Sequence, residues 1–470
     1  MLTRTIRISL LAAVLAPTLA SADPAEDDAP PPREPTAVTV RTAPVSGEES
    51  GRIDSGDHGD GTDTTGRLLA RGVLFVPKLA VTVVFAPLRG LIYVYERYQL
   101  SQRYFGLFFD DTRTYGIVPV AEIEAGFGLS GGGKTLHRNV FGGNEHFSAR
   151  AVFGGQFQQA ASVKLDTGTR FGDRFKLELE GVYEKHPRDK FFGIGNTDIV
   201  DPEMHVVGET NVKARYRNRV ERVMGIADLG VAGPLHLMAS GSLVDFTYAS
   251  IEDAPIDELY PMNQIVGFAT GDRHSYNELE VRWDRRQRGS DWEVDAVPST
   301  GELISVFGGR VTALDDGPDY WRAGADLQKP IRLGRGPRVL TARVYAEAVS
   351  GSRDEVPFTA LPRLGGKMLL RGYDLDRFRD RFASMGSLEY SWDLTKEFSA
   401  SVFADAGRVA SSVRDWNDGP LRVGYGFGLE AHTDKSFLLR SSIATSVDGG
   451  LFLNIAFEPV TELGARVERR

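Results

Sequence analysis

The chain has 470 residues, 41% of them hydrophobic and 25% charged, with 52 glycines, no cysteine and a net charge of −9. The surplus of carboxylates argues against a general nucleic-acid binder, which needs cations to neutralise phosphates, and the lack of cysteine removes disulfide frameworks, thiolate metal sites and cysteine nucleophiles together. A mean hydropathy of −0.22 without any long apolar run excludes a polytopic helical membrane protein but not a barrel, whose alternating strands keep average hydropathy low.

Residues 1–22 read as a cleaved signal peptide: Arg4 and Arg7, an apolar stretch over 8–16, then the small-residue pattern Ala20-Ser21-Ala22. Residues 23–66, rich in Asp, Glu, Pro, Gly, Ser and Thr, read as a disordered acidic linker, because they cannot bury enough apolar surface to offset chain entropy. Within it, Asp54, Asp57, Asp60 and Asp63 lack the spacing and the bidentate Glu of an EF-hand and read as solvated charge. Residues 67–114 turn apolar, but their longest uninterrupted piece, 79–86, is far short of the ~20 residues a spanning helix needs. Short helical or interfacial pieces fit this segment; a buried segment of a soluble domain stays open as the alternative.

From Tyr115 the hydrophobic period changes to two. Phe175, Leu177 and Leu179 alternate with Lys176, Glu178 and Glu180; Leu279, Val281 and Trp283 with Glu278, Glu280 and Arg282; Leu340, Ala342 and Val344 with Thr341, Arg343 and Tyr345. Each is an amphipathic strand with one apolar and one charged face. Turn signals such as Gly172-Asp173, Asp315-Asp316-Gly317 and Asp448-Gly449-Gly450 separate them. About sixteen such segments fit over 115–458, at roughly 21 residues per strand and connection. The charged faces need a wet interior, which a wide barrel supplies. The fold expected is therefore all-β: a transmembrane antiparallel β-barrel of about sixteen strands in the bacterial outer membrane, behind a short apolar segment and ahead of a polar tail over 459–470.

Two other patterns compete for attention. Residues 128–135, Gly-Leu-Ser-Gly-Gly-Gly-Lys-Thr, satisfy the phosphate-loop pattern and contain a Gly-x-Ser-x-Gly elbow. Both motifs require a helix next, and residues 136–143 have no helical period, so a glycine-rich turn after the first strand is the expected structure. No nucleotide is implied. The 8 histidines form no HExxH-like pair, so neither a metal nor any other cofactor is expected.

The sharpest local feature is Leu361-Pro362-Arg363-Leu364-Gly365-Gly366-Lys367-Met368-Leu369-Leu370-Arg371-Gly372-Tyr373. It resembles the long sixth outer loop of the BamA/TamA surface-antigen superfamily of outer-membrane barrels. Ser387-Leu388-Glu389-Tyr390, Val402-Phe403-Ala404-Asp405-Ala406-Gly407 and the glycine-rich run from Arg422 to Glu430 resemble the strands that follow it, in order; Phe192-Gly193-Ile194-Gly195-Asn196 and Arg282-Trp283-Asp284-Arg285-Arg286 match upstream. The resemblance implies that the loop folds back into the lumen, where Arg371, beside Gly372 and Tyr373, meets Glu389 and Asp405. Arginine's planar fork suits such a carboxylate pair, and glycine allows close backbone approach. Arg379 in the same loop reads as an ordinary cation whose loss would matter little.

This would be a member without the periplasmic POTRA repeats, since only the linker and the apolar segment precede the barrel. The resemblance further implies a seam between the first and last strands. The first strand, taken as about 115–129, contains Pro119 and is weakened at its far end by Gly126 and Gly128; Phe457 is the expected closing aromatic of the last. The implied function is to help insert or translocate polypeptide or lipid at that seam, with outer-membrane lipid and unfolded or nascent outer-membrane proteins as partners. The competing class is a passive pore or structural barrel. An outer-membrane enzyme is not expected, because no Ser/His/carboxylate set stands out.

Overall fold

The computed structural model describes residues 106–112, 114–172, 174–196, 213–288, 298–334, 338–394, 398–417, 419–433 and 436–460. The signal peptide, the acidic linker, residues 67–105 of the apolar segment and residues 461–470 of the tail lie outside the described residues.

The alternating segments form strands because one face of each can meet lipid while the other meets a polar lumen. They are β1 (Tyr115–Glu124), β2 (Gly128–Arg138), β3 (His146–Gly154), β4 (Phe157–Asp166), β5 (Phe175–Phe191), β6 (Ala214–Ala232), β7 (Leu235–Ser250) and β8 (Asp272–Asp284), then β11 (Leu303–Ala313), β12 (Tyr320–Arg332), β13 (Arg338–Val349), β16 (Phe382–Asp393), β17 (Phe398–Ala410), β18 (Arg422–Thr433), β19 (Ser436–Ser446) and β20 (Phe452–Val460). Among the described residues these sixteen close one antiparallel barrel in chain order. Two small pairs stand apart: β9 (Gln287–Arg288) with β10 (Pro298–Thr300), and β14 (Arg363–Leu364) with β15 (Phe378–Arg379). No helix among the described residues is long and apolar enough to cross a membrane.

Side-chain burial follows the alternation. Leu179, Leu279, Val281 and Val344 are exposed on the outer face, whereas Glu278 and Glu280 are buried on the inner one. The inner charges are paired, across strands in Arg222–Glu180 (3.6 Å) and Arg343–Asp326 (2.8 Å) and within β8 in Arg282–Glu280 (3.0 Å). Such pairing lets a charged face sit out of bulk water.

Two local readings of the sequence change. The first strand ends at Glu124, not near Leu129: Gly126 lies in the β1–β2 turn at φ +80°, and Gly128 opens β2. The glycine-rich 128–135 stretch is likewise a strand rather than a turn, fully paired with β1 from Glu124↔Gly128 to Tyr115↔His137. A side chain on Gly132 would strike the Ala151 carbonyl of β3, so glycine there permits close strand approach.

β5, β6 and β7 are 17, 19 and 16 residues long, well beyond the ~9–11 needed to cross the hydrocarbon. Their loop-end halves carry Phe191, Tyr216, Phe246 and Tyr248 inward, where the 251–271 connection adds Ile256, Tyr260, Ile265 and Phe268. Phe358, from the 350–381 connection, completes this aromatic cap.

Candidate functional site

The 350–381 connection between β13 and β16 enters the barrel instead of standing in solvent. Its apolar residues explain why: Phe358, Leu361, Leu364, Leu370 and Phe378 are all fully buried, each removing apolar surface from water at about 25 cal/mol per Å². The connection is pinned to itself by β14–β15 and to the wall by Arg371.

Arg371 donates through its backbone N–H and Nε to Asp405 Oδ2 (2.9 and 2.8 Å), through Nη2 to Asp405 Oδ1 (2.9 Å) and through Nη1 to Glu389 Oε2 (2.5 Å). Its guanidinium carbon lies 3.4 Å from the centre of the Phe403 ring, a cation–π arrangement. Ser387 Oγ donates to Asp405 Oδ1 (2.6 Å). Asp405 is 1% exposed, so these donors take the place of water around its carboxylate. Gly372, at φ +93°, lies so close to β19 that a side chain would strike the Thr445 carbonyl. Tyr373 donates to Asp448 Oδ2 (2.9 Å), which also accepts from Arg422 Nη1 (2.9 Å).

Three features of this region carry no local sequence signal. Lys367 reaches across the lumen to Glu122 and lies 3.5 Å from Glu124, both on β1. Lys190 on β5 pairs with Asp374. Arg379 is the correction: instead of being an ordinary solvated cation it is fully buried, 4.9 Å from the Phe191 ring centre and 5.7 Å from that of Phe358, and donates to the Phe358 carbonyl (3.2 Å). Stacking between aromatic faces makes a guanidinium acceptable in an apolar cap.

Beneath the cap lies a lumenal cavity of about 250 Å³, with Glu178, Glu180 and Glu278 facing Arg222, Arg282 and Arg322. Among the described residues no cluster has the make-up of a metal site.

β1 closes on β20 through Ala121↔Phe457, Glu122↔Ala456 and Ile123↔Ile455 only, whereas β1 and β2 pair along all of β1. Pro119 lies outside the paired stretch, and Phe457 lies within it. Beyond Ile123 the Asn454 side chain takes the Ala125 N–H (3.2 Å).

A closed barrel with an apolar outer face, a charged interior and a connection folded into its lumen defines a transmembrane β-barrel. A family model described as the Omp85 superfamily domain matches residues 139–449, well over half of the chain. The chain belongs to the Omp85 superfamily, and the protein is an outer-membrane β-barrel. Among solved structures it is similar to BamA from Haemophilus ducreyi lacking POTRA domains 1-3, with a TM-score of 0.52 at 14% identity over 73% of this chain and 70% of that one. It is also similar to CdiB from Acinetobacter baumannii (TM-score 0.46, 11% identity, 73% and 59% covered) and to CdiB from Escherichia coli (0.48, 10%, 73% and 62%). At this identity the BamA likeness is one of fold. No curated protein matches the chain by sequence.

Proposed function

We propose that the protein helps insert or move polypeptide or lipid at the outer membrane, acting at the seam between β1 and β20. Superfamily membership supports this class of work, since its members transport or assemble membrane proteins. The observation that carries the reading to this chain is the three-rung β1–β20 junction beside a lumen filled at its loop end. A barrel held together by backbone pairing opens first where that pairing is shortest. Outer-membrane lipid and unfolded outer-membrane proteins are the partners that such an opening would meet, and the work is transport or assembly without covalent chemistry.

In this reading Arg371, Gly372 and Tyr373 lock the inward connection to the barrel wall through Glu389, Asp405 and Asp448, so that it stays in place while the seam moves. A passive pore would need a continuous water path, and the buried aromatic cap speaks against one. The test combines depletion of the protein, with outer-membrane proteins and lipids then quantified, and planar-bilayer conductance of the purified barrel. Loss of other outer-membrane components together with a low, unsteady conductance is expected. A steady open conductance with an unchanged membrane composition would favour the pore.

A further inference from the structure

The sequence puts one proline in β1, Pro119, and one in β20, Pro459. Their places in the register decide what each removes. Across the β1–β2 hairpin the Arg138 N–H donates to the Thr114 carbonyl (2.7 Å). Backbone groups alternate in direction along a strand, so even-numbered positions of β1 aim at β2 and odd-numbered ones at the opposite edge, the one that faces β20. Tyr115 obeys this rule: its carbonyl accepts from the Asp110 N–H (2.9 Å) and its N–H donates to Asp110 Oδ1 (2.9 Å). The chain just ahead of β1 thus folds over the first rung of that edge, with Phe109 bridged to Gly116.

The odd positions that follow are Ile117, Pro119, Ala121 and Ile123, and pairing with β20 begins only at Ala121↔Phe457. Continued straight by two residues, that register would set Pro119 opposite Pro459. An antiparallel rung of this kind exchanges two N–H···O bonds, and this rung can make neither, because both donors are missing. The β19–β20 register also slips between Leu439↔Phe457 and Phe437↔Val460, at the bulge position where a strand tolerates proline.

We propose that the facing prolines, together with the Asp110 cap, are a built-in stop that holds the β1–β20 seam at three rungs. The proposal deepens the functional reading by naming what sets the length of the seam, and its test reads backbone pairing rather than transport, so either can fail without the other. The stop also blunts the β1 edge. Between the cap and Ala121 Pro119 offers that side an acceptor and no donor, too little to template an added strand from another chain.

The experiment uses the full chain in lipid nanodiscs, with Pro119→Val and Pro459→Val made singly and together. Amide hydrogen exchange is read at positions 117, 119 and 459. Each restored donor has the facing carbonyl as its acceptor, so exchange at 119 and 459 should be about tenfold slower than at an unpaired amide, and slowest where both donors are present. A second readout is the disulfide yield of Val118→Cys with Val460→Cys, adjacent positions only if the pairing extends, which should rise in the double variant and not in the proline-bearing parent. Alanine at both sites restores the donors without added bulk and provides a second form of the test. Exchange at 119 and 459 in the double variants as fast as at an unpaired amide, with an unchanged disulfide yield, would overturn the proposal.

Discussion

Arg371 gives three hydrogen bonds to the single carboxylate of Asp405, two from its guanidinium and one from its own backbone N–H. The backbone bond fixes where the chain runs, and the guanidinium bonds fix where the side chain lies. With Glu389 as a second acceptor at 2.5 Å, one residue ties the inward connection to β16 and β17. Removing it leaves Asp405 buried without its cation.

Arg371→Ala should therefore cost about 3–5 kcal/mol, the range for breaking a desolvated ion pair by removing one partner. The barrel should still insert, while cleavage by added protease appears between residues 351 and 381. Adding Asp405→Asn should recover part of the loss, because the two sites are coupled. Heat-modifiable gel mobility and limited proteolysis in outer membranes measure both effects. Wild-type behaviour of Arg371→Ala in both assays would mean that the connection is held by its apolar residues alone.

Arg379→Ala should loosen the aromatic cap, because it leaves a cavity between Phe191 and Phe358 and removes the donor to the Phe358 carbonyl. A loss of ~2–4 kcal/mol is expected from a large-to-small change at a fully buried site. Arg379→Met, which keeps volume but not charge, should fall between the two. Chymotryptic sensitivity of the 251–271 connection, which carries Leu259, Tyr260 and Phe268, gives the readout, and an unaltered digest would show that the cap does not depend on the cation.

Lys367 ties the same connection to β1 through Glu122 and Glu124. It is 39% exposed, so its contribution is limited to about 1 kcal/mol and is screened by salt. Lys367→Met should speed amide exchange at Ala121 and Ile123 several-fold in low salt and hardly at all in high salt. The exchange of charges, Lys367→Glu with Glu122→Lys, should restore part of the protection. Equal effects at both ionic strengths would assign the change to packing instead.

At the opposite end of the barrel, burial pushes the Glu145 carboxyl up, but Arg170 and the N–H groups of Phe141 and Gly143 outweigh it and hold the group down from 4.5 to about 2. A depressed carboxylate contributes order that is complete above its ordinary value and lost as pH falls through its folded one. The 139–145 turn should therefore hold to near pH 3 and loosen towards pH 2. Glu145→Gln should make the turn looser at neutral pH and remove this dependence. Exchange at Phe141 and Gly143 across that range follows it, and identical pH profiles for the two proteins would refute the role.

The barrel was legible in the sequence because lipid outside and water inside impose a period of two, as at 176–180 and 278–284. Arg371, Glu389 and Asp405 were legible only through ordered motifs resembling a known family, since nothing in their spacing marks a contact. The first strand was extended too far because glycines at 126 and 128 look alike in sequence, although one turns the chain and the other pairs in a strand. Arg379 was misjudged because hydrophobic patterning treats a cation as solvent-facing, whereas two aromatic faces can receive it. Lys367 and Glu122 lie 245 positions apart, and only barrel closure brings them together.

The most direct test of the account is a reversible covalent lock across the seam, Glu122→Cys with Ala456→Cys, paired positions of β1 and β20 in a chain that has no other cysteine. In cells depleted of the wild-type protein, the outer-membrane protein and lipid content is measured with the locked variant before and after a reductant is added. The account predicts that the oxidised barrel folds but leaves the depletion defect in place, and that reduction relieves it. Full relief by the oxidised, quantitatively crosslinked barrel would contradict a function exercised at this seam.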